Sequence, residues 1–428
     1  MKRLDDCTKA ELSSRLAALT EAYEGYKARG LKLDMSRGKP SAEQLDLTLS
    51  MLDCVNARDG YRAEDGTDTR NYGLLDGIAE AKRLFADMLG TVPDEVIVGG
   101  NSSLNMMFDY ISTAYSHGVC GGEPWCRQGE VKFLCPAPGY DRHFGITEYF
   151  GIEMLTVPMT EQGPDMTVVE SLVADPLVKG MWCVPKYSNP DGITYSDETV
   201  RRIAALRPAA PDFRVIWDNA YCVHHLYAEH DHLLNIRDAC RAAGNDDLVV
   251  QFASTSKISF PGSGMAAMTA SPKNVADVKA RMTVQTIGHD KLNMLRHARY
   301  FGDMAGVTAH MEQHAALLRP RFDTVLTTLR ESGLREKGVA TWHEPRGGYF
   351  VSVYVRPGCA KETVRLLAEA GVKMTAAGAT YPYGIDPADS NIRIAPSFPS
   401  VAELKTAMEL FCLCAERAAV SLLLETAK

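Results

Sequence analysis

Long apolar runs are missing from this sequence. None reaches the roughly 18 residues that a membrane span needs, and the longest candidates, such as that around Ala418 to Leu424, stop far short. The opening MKRLDDCTKAELSSRLAAL likewise lacks the uninterrupted apolar core of a signal peptide. Cysteine occurs 11 times, never as a CxxC pair, and the odd number fits reduced thiols better than a disulfide framework. These absences predict a cytoplasmic protein with no membrane partner. Like charges never gather into a tail, and 46 Lys+Arg against 54 Asp+Glu leave a formal charge of −8. A mildly acidic chain of this kind lacks the electrostatic footprint of a nucleic-acid binder. What is present is 428 residues, 46% hydrophobic and 23% charged, an ordinary globular composition with length for two or three domains.

Between about residues 94 and 271 one theme recurs: a short apolar run, a Gly, Pro or polar turn, then a helix-like stretch. The runs are 95–98, 131–135, 154–158, 180–184, 213–217, 248–252 and 265–270. Short, almost wholly apolar strands separated by helices predict an α/β core, a mostly parallel seven-stranded sheet between helices. From about residue 313 the pattern changes to a long charged helix through Arg335, strands at 340–342 and 348–355, and an amphipathic helix from Val401 to about Val420. This predicts a large domain over 46–312 and a small α+β domain over 313–428, with the segment 1–45 packing against the small one.

In doubly wound sheets ligands sit at the carboxyl ends of the strands, so the residues after each run carry the functional reading. Gly99-Gly100-Asn101-Ser102-Ser103 opens a helix and offers small residues and unpaired amides to an anion, although an N-cap serine needs no ligand. Pro136-Ala137-Pro138-Gly139-Tyr140 is a tight turn that delivers an aromatic ring to the rim of the sheet. Asn189, in an Asn-Pro-Asp-Gly turn, offers a side-chain donor. Asp218, in Asp218-Asn219-Ala220-Tyr221, is a carboxylate at the end of an apolar strand, costly to bury without a partner. Lys257, in Ser254-Thr255-Ser256-Lys257, is an amine at the mouth of a buried strand, where desolvation lowers its pKa as imine chemistry requires. Each turn alone is structurally sufficient. The ordered set supplies what a pyridine-aldehyde phosphate needs: an anion cradle, a stacking ring, a donor to the phenolic oxygen, a carboxylate for the ring nitrogen and an amine.

At this point the sequence resembles a fold-type I, class I/II pyridoxal-phosphate aminotransferase and is most similar to the bacterial type Ic aspartate aminotransferase subgroup. The similarity runs from Met35-Ser36-Arg37-Gly38-Lys39-Pro40 to Asn391-Ile392-Arg393-Ile394-Ala395. It implies pyridoxal 5'-phosphate as cofactor, with Lys257, Asp218 and Tyr221 as the catalytic group. Lys257 would be the imine-forming lysine that also moves the α-proton, Asp218 the partner of the ring nitrogen, and Tyr221 and Asn189 donors to the phenolic oxygen. Tyr140 would stack on the ring, while Ser102, Ser103 and Ser254 would contact the phosphate. Tyr72 resembles the tyrosine that reaches the neighbouring subunit's cofactor, which implies a homodimer. Arg393 would clamp the substrate α-carboxylate, with Asn189 and Gly38 beside it. The implied reaction is ping-pong transamination between an L-amino acid, aspartate by resemblance, and 2-oxoglutarate, with no metal.

One departure stands out. Many members carry a phosphate-binding Arg about eight residues after the lysine, where this chain reads Gly262-Ser263-Gly264-Met265. Hydroxyls, amides and Tyr72 are expected to hold the phosphate, or else Arg37 or Lys39 substitutes. Candidates for a second substrate-carboxylate cation are Arg37, Lys39, Arg142 and Arg296, and His143, His224 and His225 either line the pocket or pack. Competing readings are weak: Ser254-x-x-Lys257 also spells an element of serine acyl enzymes, but the order of the accompanying elements is wrong. Neither glycine cluster is GxGxxG. A β-lyase or decarboxylase on the same fold would use the same Lys, Asp and Tyr.

Overall fold

The structure, a computed structural model, describes residues 2–426. In chain order the strands are β1 (Leu33–Asp34), β2 (Val96–Val98), β3 (Lys132–Ala137), β4 (Glu153–Thr160), β5 (Gly163–Pro164), β6 (Val178–Cys183), β7 (Arg214–Asp218), β8 (Val249–Ser254), β9 (Ala266–Thr269), β10 (Ala340–Trp342), β11 (Val351–Val355), β12 (Val372–Lys373) and β13 (Asn391–Ile394). Strands β2, β6, β7, β8 and β9 are buried at every residue, as sheets covered on both faces require. Successive side chains of a strand point to opposite faces. Accordingly Phe133, Trp182, Ile216 and Phe252 pack with Met107 and Ile111 of the helix Ser103–His117. Leu134, Met181, Val215 and Trp217 pack on the other side with Val200, Ile203 and Cys240. Each such side chain contributes about 1.5–3 kcal/mol on burial.

The main sheet has the order β2–β9–β8–β7–β6–β3–β4–β5. Pairs from β8 through β4 are parallel, while β9 runs antiparallel to β2 and β8. All seven expected strands are therefore present, and the two-residue β5 adds an eighth at the edge, too short to leave an apolar run in the sequence. Two antiparallel steps put the carboxyl end of β2 on the same rim as those of β3, β6, β7 and β8. Strand order reverses between β3 and β6, which opens a crevice on that rim.

The C-terminal part holds an antiparallel sheet, β10–β11–β13. Its core includes Phe322, Val351, Val353, Ile392, Leu404 and Phe411 together with Leu4, Leu12 and Tyr23 from the start of the chain. The N-terminal helix Lys9–Lys27, opened by a Thr8–Glu11 capping box, lies on the last helix, Val401–Thr426, and β1 pairs parallel with β12. The long charged helix begins earlier than the apolar pattern suggests, at Met304, because Asp303 caps it by accepting from the amides of Ala305 and Gly306. It ends at Glu331, and the expected boundary at 312/313 falls inside it. No helix among the described residues is long and apolar enough to cross a membrane.

Candidate active site

Ten of the sequence-derived residues, Gly38, Ser102, Ser103, Tyr140, Asn189, Asp218, Tyr221, Ser254, Lys257 and Arg393, line one cavity of about 510 Å³ on the rim of the main sheet. Tyr72 is the exception: it is 82% exposed and does not line the cavity of its own chain. A second cavity, of about 550 Å³, lies between the helices Ser103–His117 and Pro272–Gln285 and holds none of these side chains.

Asp218 ends β7 and is buried. Its Oδ2 accepts from His143 Nε2 at 3.0 Å, while Oδ1 is buried with no partner among the described residues. The His143 ring is itself fixed, stacked on Trp182 at 4.4 Å and edge-on to Tyr140 at 4.9 Å. His143 therefore does not reach the cavity wall but packs behind Asp218 and orients it. An orphaned carboxylate oxygen costs about 1–3 kcal/mol or more in desolvation. A ligand bearing an N–H at that point would recover it.

Lys257 Nζ lies 5.3 Å from the centre of the Tyr221 ring and 5.8 Å from that of Tyr349. Burial lowers its pKa, Asp218 partly opposes this, and Arg393 lowers it further. Burial and the Asp218 charge push the Tyr140 hydroxyl up to about 12, and burial raises Tyr221 well above the ordinary tyrosine value. Both phenols are donors at neutral pH.

The hydroxyl cradle joins two strand ends. Ser102 is the N-cap of the helix Ser103–His117, yet its side chain makes no capping bond. Ser254 Oγ donates to Ser256 Oγ at 3.0 Å, and Ser256 Oγ donates to the Asn101 carbonyl at 3.2 Å. Unpaired amides and free hydroxyls at the start of a four-turn helix suit a phosphate. Of the basic candidates, Arg37 and Arg142 line the cavity, as does Lys373, which the sequence reading missed because the two-residue β12 leaves no pattern. Lys39 instead lies 3.8 Å from the centre of the Phe398 ring, and Arg296 donates to Ser263 Oγ at 2.8 Å and to Asn293. Neither lines the cavity.

Arg393 projects from β13, 8% exposed. Its Nη1 donates to Asn189 Oδ1 at 3.1 Å and to Asp141 Oδ1 at 3.0 Å, and its Nη2 lies 3.4 Å from Thr375 Oγ1. The guanidinium carbon sits 4.8 Å from the centre of the Phe350 ring. Gly38 meets the same ring: a Cβ there would stand 2.5 Å from Phe350 Cζ. Asp141 and Thr375 were not foreseen. Asp141 is the first residue of the helix Asp141–Tyr149, directly after the turn tyrosine, where an acid is ordinary. His224 is buried edge-on between Tyr221 and Tyr349, and burial keeps its pKa well below the ordinary value. His225 pairs with the Tyr187 hydroxyl at 2.7 Å. Both pack rather than line the cavity.

The family model described as aspartate amino-transferase matches residues 7–426. An aspartate aminotransferase of Corynebacterium glutamicum is 48% identical over 393 residues, 92% of this chain and 90% of that protein. The crystal structure of an aspartate transaminase from the same species is similar with a TM-score of 0.96 at 45% identity, covering 98% of this chain and 99% of that one. An α-aminoadipate aminotransferase of Thermus thermophilus, complexed with N-(5'-phosphopyridoxyl)-L-leucine, shares the fold at 20% identity, with a TM-score of 0.69 over 93% of this chain and 95% of that one.

Proposed function

Because this chain belongs to the aspartate amino-transferase family and is thus an aminotransferase, we propose that it uses pyridoxal 5'-phosphate to transfer the amino group of an L-amino acid, aspartate foremost, to 2-oxoglutarate. The observation that carries this reading is the pairing, in one cavity, of the buried, partnerless Asp218 Oδ1 with Lys257. When bound, the cofactor supplies a protonated pyridine ring that takes up the electrons released at the substrate Cα. Asp218 Oδ1 accepts the ring N–H, and His143 holds Oδ2 so that the carboxylate cannot turn away. Tyr221 and the Asn189 amide nitrogen donate to the phenolic oxygen, since Asn189 Oδ1 is already committed to Arg393. Tyr140 covers the ring, and Ser102, Ser103 and Ser254 receive the phosphate. Lys257 Nζ, held toward its neutral form, would take the proton from the substrate Cα and hold it as the ammonium. Arg393 holds the substrate α-carboxylate beside Phe350, with Gly38 leaving room for that ring.

Aspartate is favoured by the similarity to aspartate aminotransferase of C. glutamicum, in sequence and in structure. It is also favoured by Arg37, Arg142 and Lys373, which line the cavity and make no side-chain hydrogen bond or ion pair among the described residues. The reading extends to a cytoplasmic homodimer in which Tyr72 serves the neighbouring copy, and to a division into 1–45, 46–312 and 313–428. Tyr72 supports the dimer because it is a large ring left 82% exposed and absent from its own chain's cavity, as are the exposed Val284 and Ile287.

Lys257→Ala tests the assignment. Oxaloacetate formation from aspartate should fall to background and require both 2-oxoglutarate and Lys257 in the wild type. Wild-type turnover in the variant would overturn it. A donor panel in which aspartate ranks below aromatic or branched amino acids would overturn the substrate.

A further inference from the structure

The guanidinium assigned to the substrate already carries a carboxylate from its own chain. Arg393 Nη1 donates to Asp141 Oδ1 at 3.0 Å, with side-chain exposures of 8% and 34%. The two residues come from opposite walls of the cavity. Asp141 begins the helix after β3 of the main sheet, and Arg393 stands on β13 of the antiparallel sheet. Both line the cavity, so the pair spans it. Asn189 Oδ1 takes the other Nη1 proton and Thr375 holds Nη2, while Nε is buried without a partner. An incoming carboxylate seeking two parallel N–H donors meets Asp141 on Nη1, since Nε is buried and offers no exposed alternative.

We infer that Asp141 is an internal competitor for the substrate carboxylate: it mimics that group on Arg393, ties the two walls together, and must be displaced for the amino acid or keto acid to bind. The inference rests on the reading of Arg393 as the α-carboxylate clamp. Its effect is to weaken substrates and products alike, by the inverse of the fraction of time the pair is open. The site thereby holds its guanidinium in a fixed pose without binding a dicarboxylate so tightly that product release suffers.

The test uses the holoenzyme and titrates maleate, an unreactive dicarboxylate, into wild type, Asp141→Asn, Asp141→Ala and Arg393→Gln, with KM for aspartate measured in parallel. Both Asp141 variants should bind maleate roughly tenfold more tightly, the factor for a pair formed about nine-tenths of the time, and KM should fall with it. Arg393→Gln should lose maleate binding. If Arg393→Gln binds weakly but neither Asp141 variant tightens, the competitor role is overturned and the clamp stands. If Arg393→Gln binds maleate as the wild type does, the clamp itself is wrong. A merely structural Asp141 would weaken binding when replaced, the opposite sign.

Discussion

A buried carboxylate with one oxygen satisfied and the other bare is a directional device. His143 fixes Asp218 through Oδ2 and leaves Oδ1 without a partner, so removing the imidazole frees the carboxylate to rotate. His143→Phe is expected to lower kcat by about tenfold to a hundredfold, the range for losing one hydrogen bond to a charged group, and to weaken cofactor binding; unchanged kcat would show that Asp218 is held by other means. Lys257 carries the second residue-scale consequence. Its pKa is lowered chiefly by burial, so its neutral form appears at lower pH than for an ordinary lysine. Below the lowered pKa the amine is protonated and inert, and above it reactive. Labelling of Lys257 in the apoenzyme by an amine-specific reagent should therefore rise with pH and level off before exposed lysines begin to react. At this scale the sequence was informative because Asp218, Lys257, Tyr140 and Asn189 each follow a buried apolar run. The hold of His143 on Asp218 and the part played by Asp141 were not legible, since the helix that carries them shows only that one side is buried.

Elements decide which side chains share a rim. The apolar runs marked all seven long-range strands, yet nothing local marks the order in which they pair, and β12, which brings Lys373 and Thr375 to the cavity, has only two residues. The helix Ser103–His117 permits a sharper test. An N-cap serine replaced by alanine usually costs about 0.5–2 kcal/mol because a capping bond is lost. Ser102 makes none. Ser102→Ala should therefore leave the melting temperature of the apoenzyme almost unchanged while weakening its affinity for pyridoxal 5'-phosphate. A stability loss with unaltered affinity would make Ser102 a cap and nothing more.

For the whole molecule, the formal charge of −8 is no obstacle to anionic substrates, because the cations that matter are gathered locally around one cavity. The exposed Tyr72 is expected to complete a neighbour's site. Inactive Lys257→Ala and weakened Tyr72→Ala enzymes, mixed under conditions that exchange subunits, should form hybrids with one intact site and regain activity. No recovery despite exchange would confine Tyr72 to its own chain. Chain separation has one more consequence. Arg15 of the N-terminal helix bonds Glu416, 401 residues away. During synthesis that helix emerges about 400 residues before the surface it covers. The helix must wait, exposed, until the residues around Glu416 have been made, and it is the segment a chaperone would be expected to shield. Since Arg393 belongs to the same late-forming body, the nascent chain would acquire the proposed cofactor cradle well before the proposed clamp on the substrate.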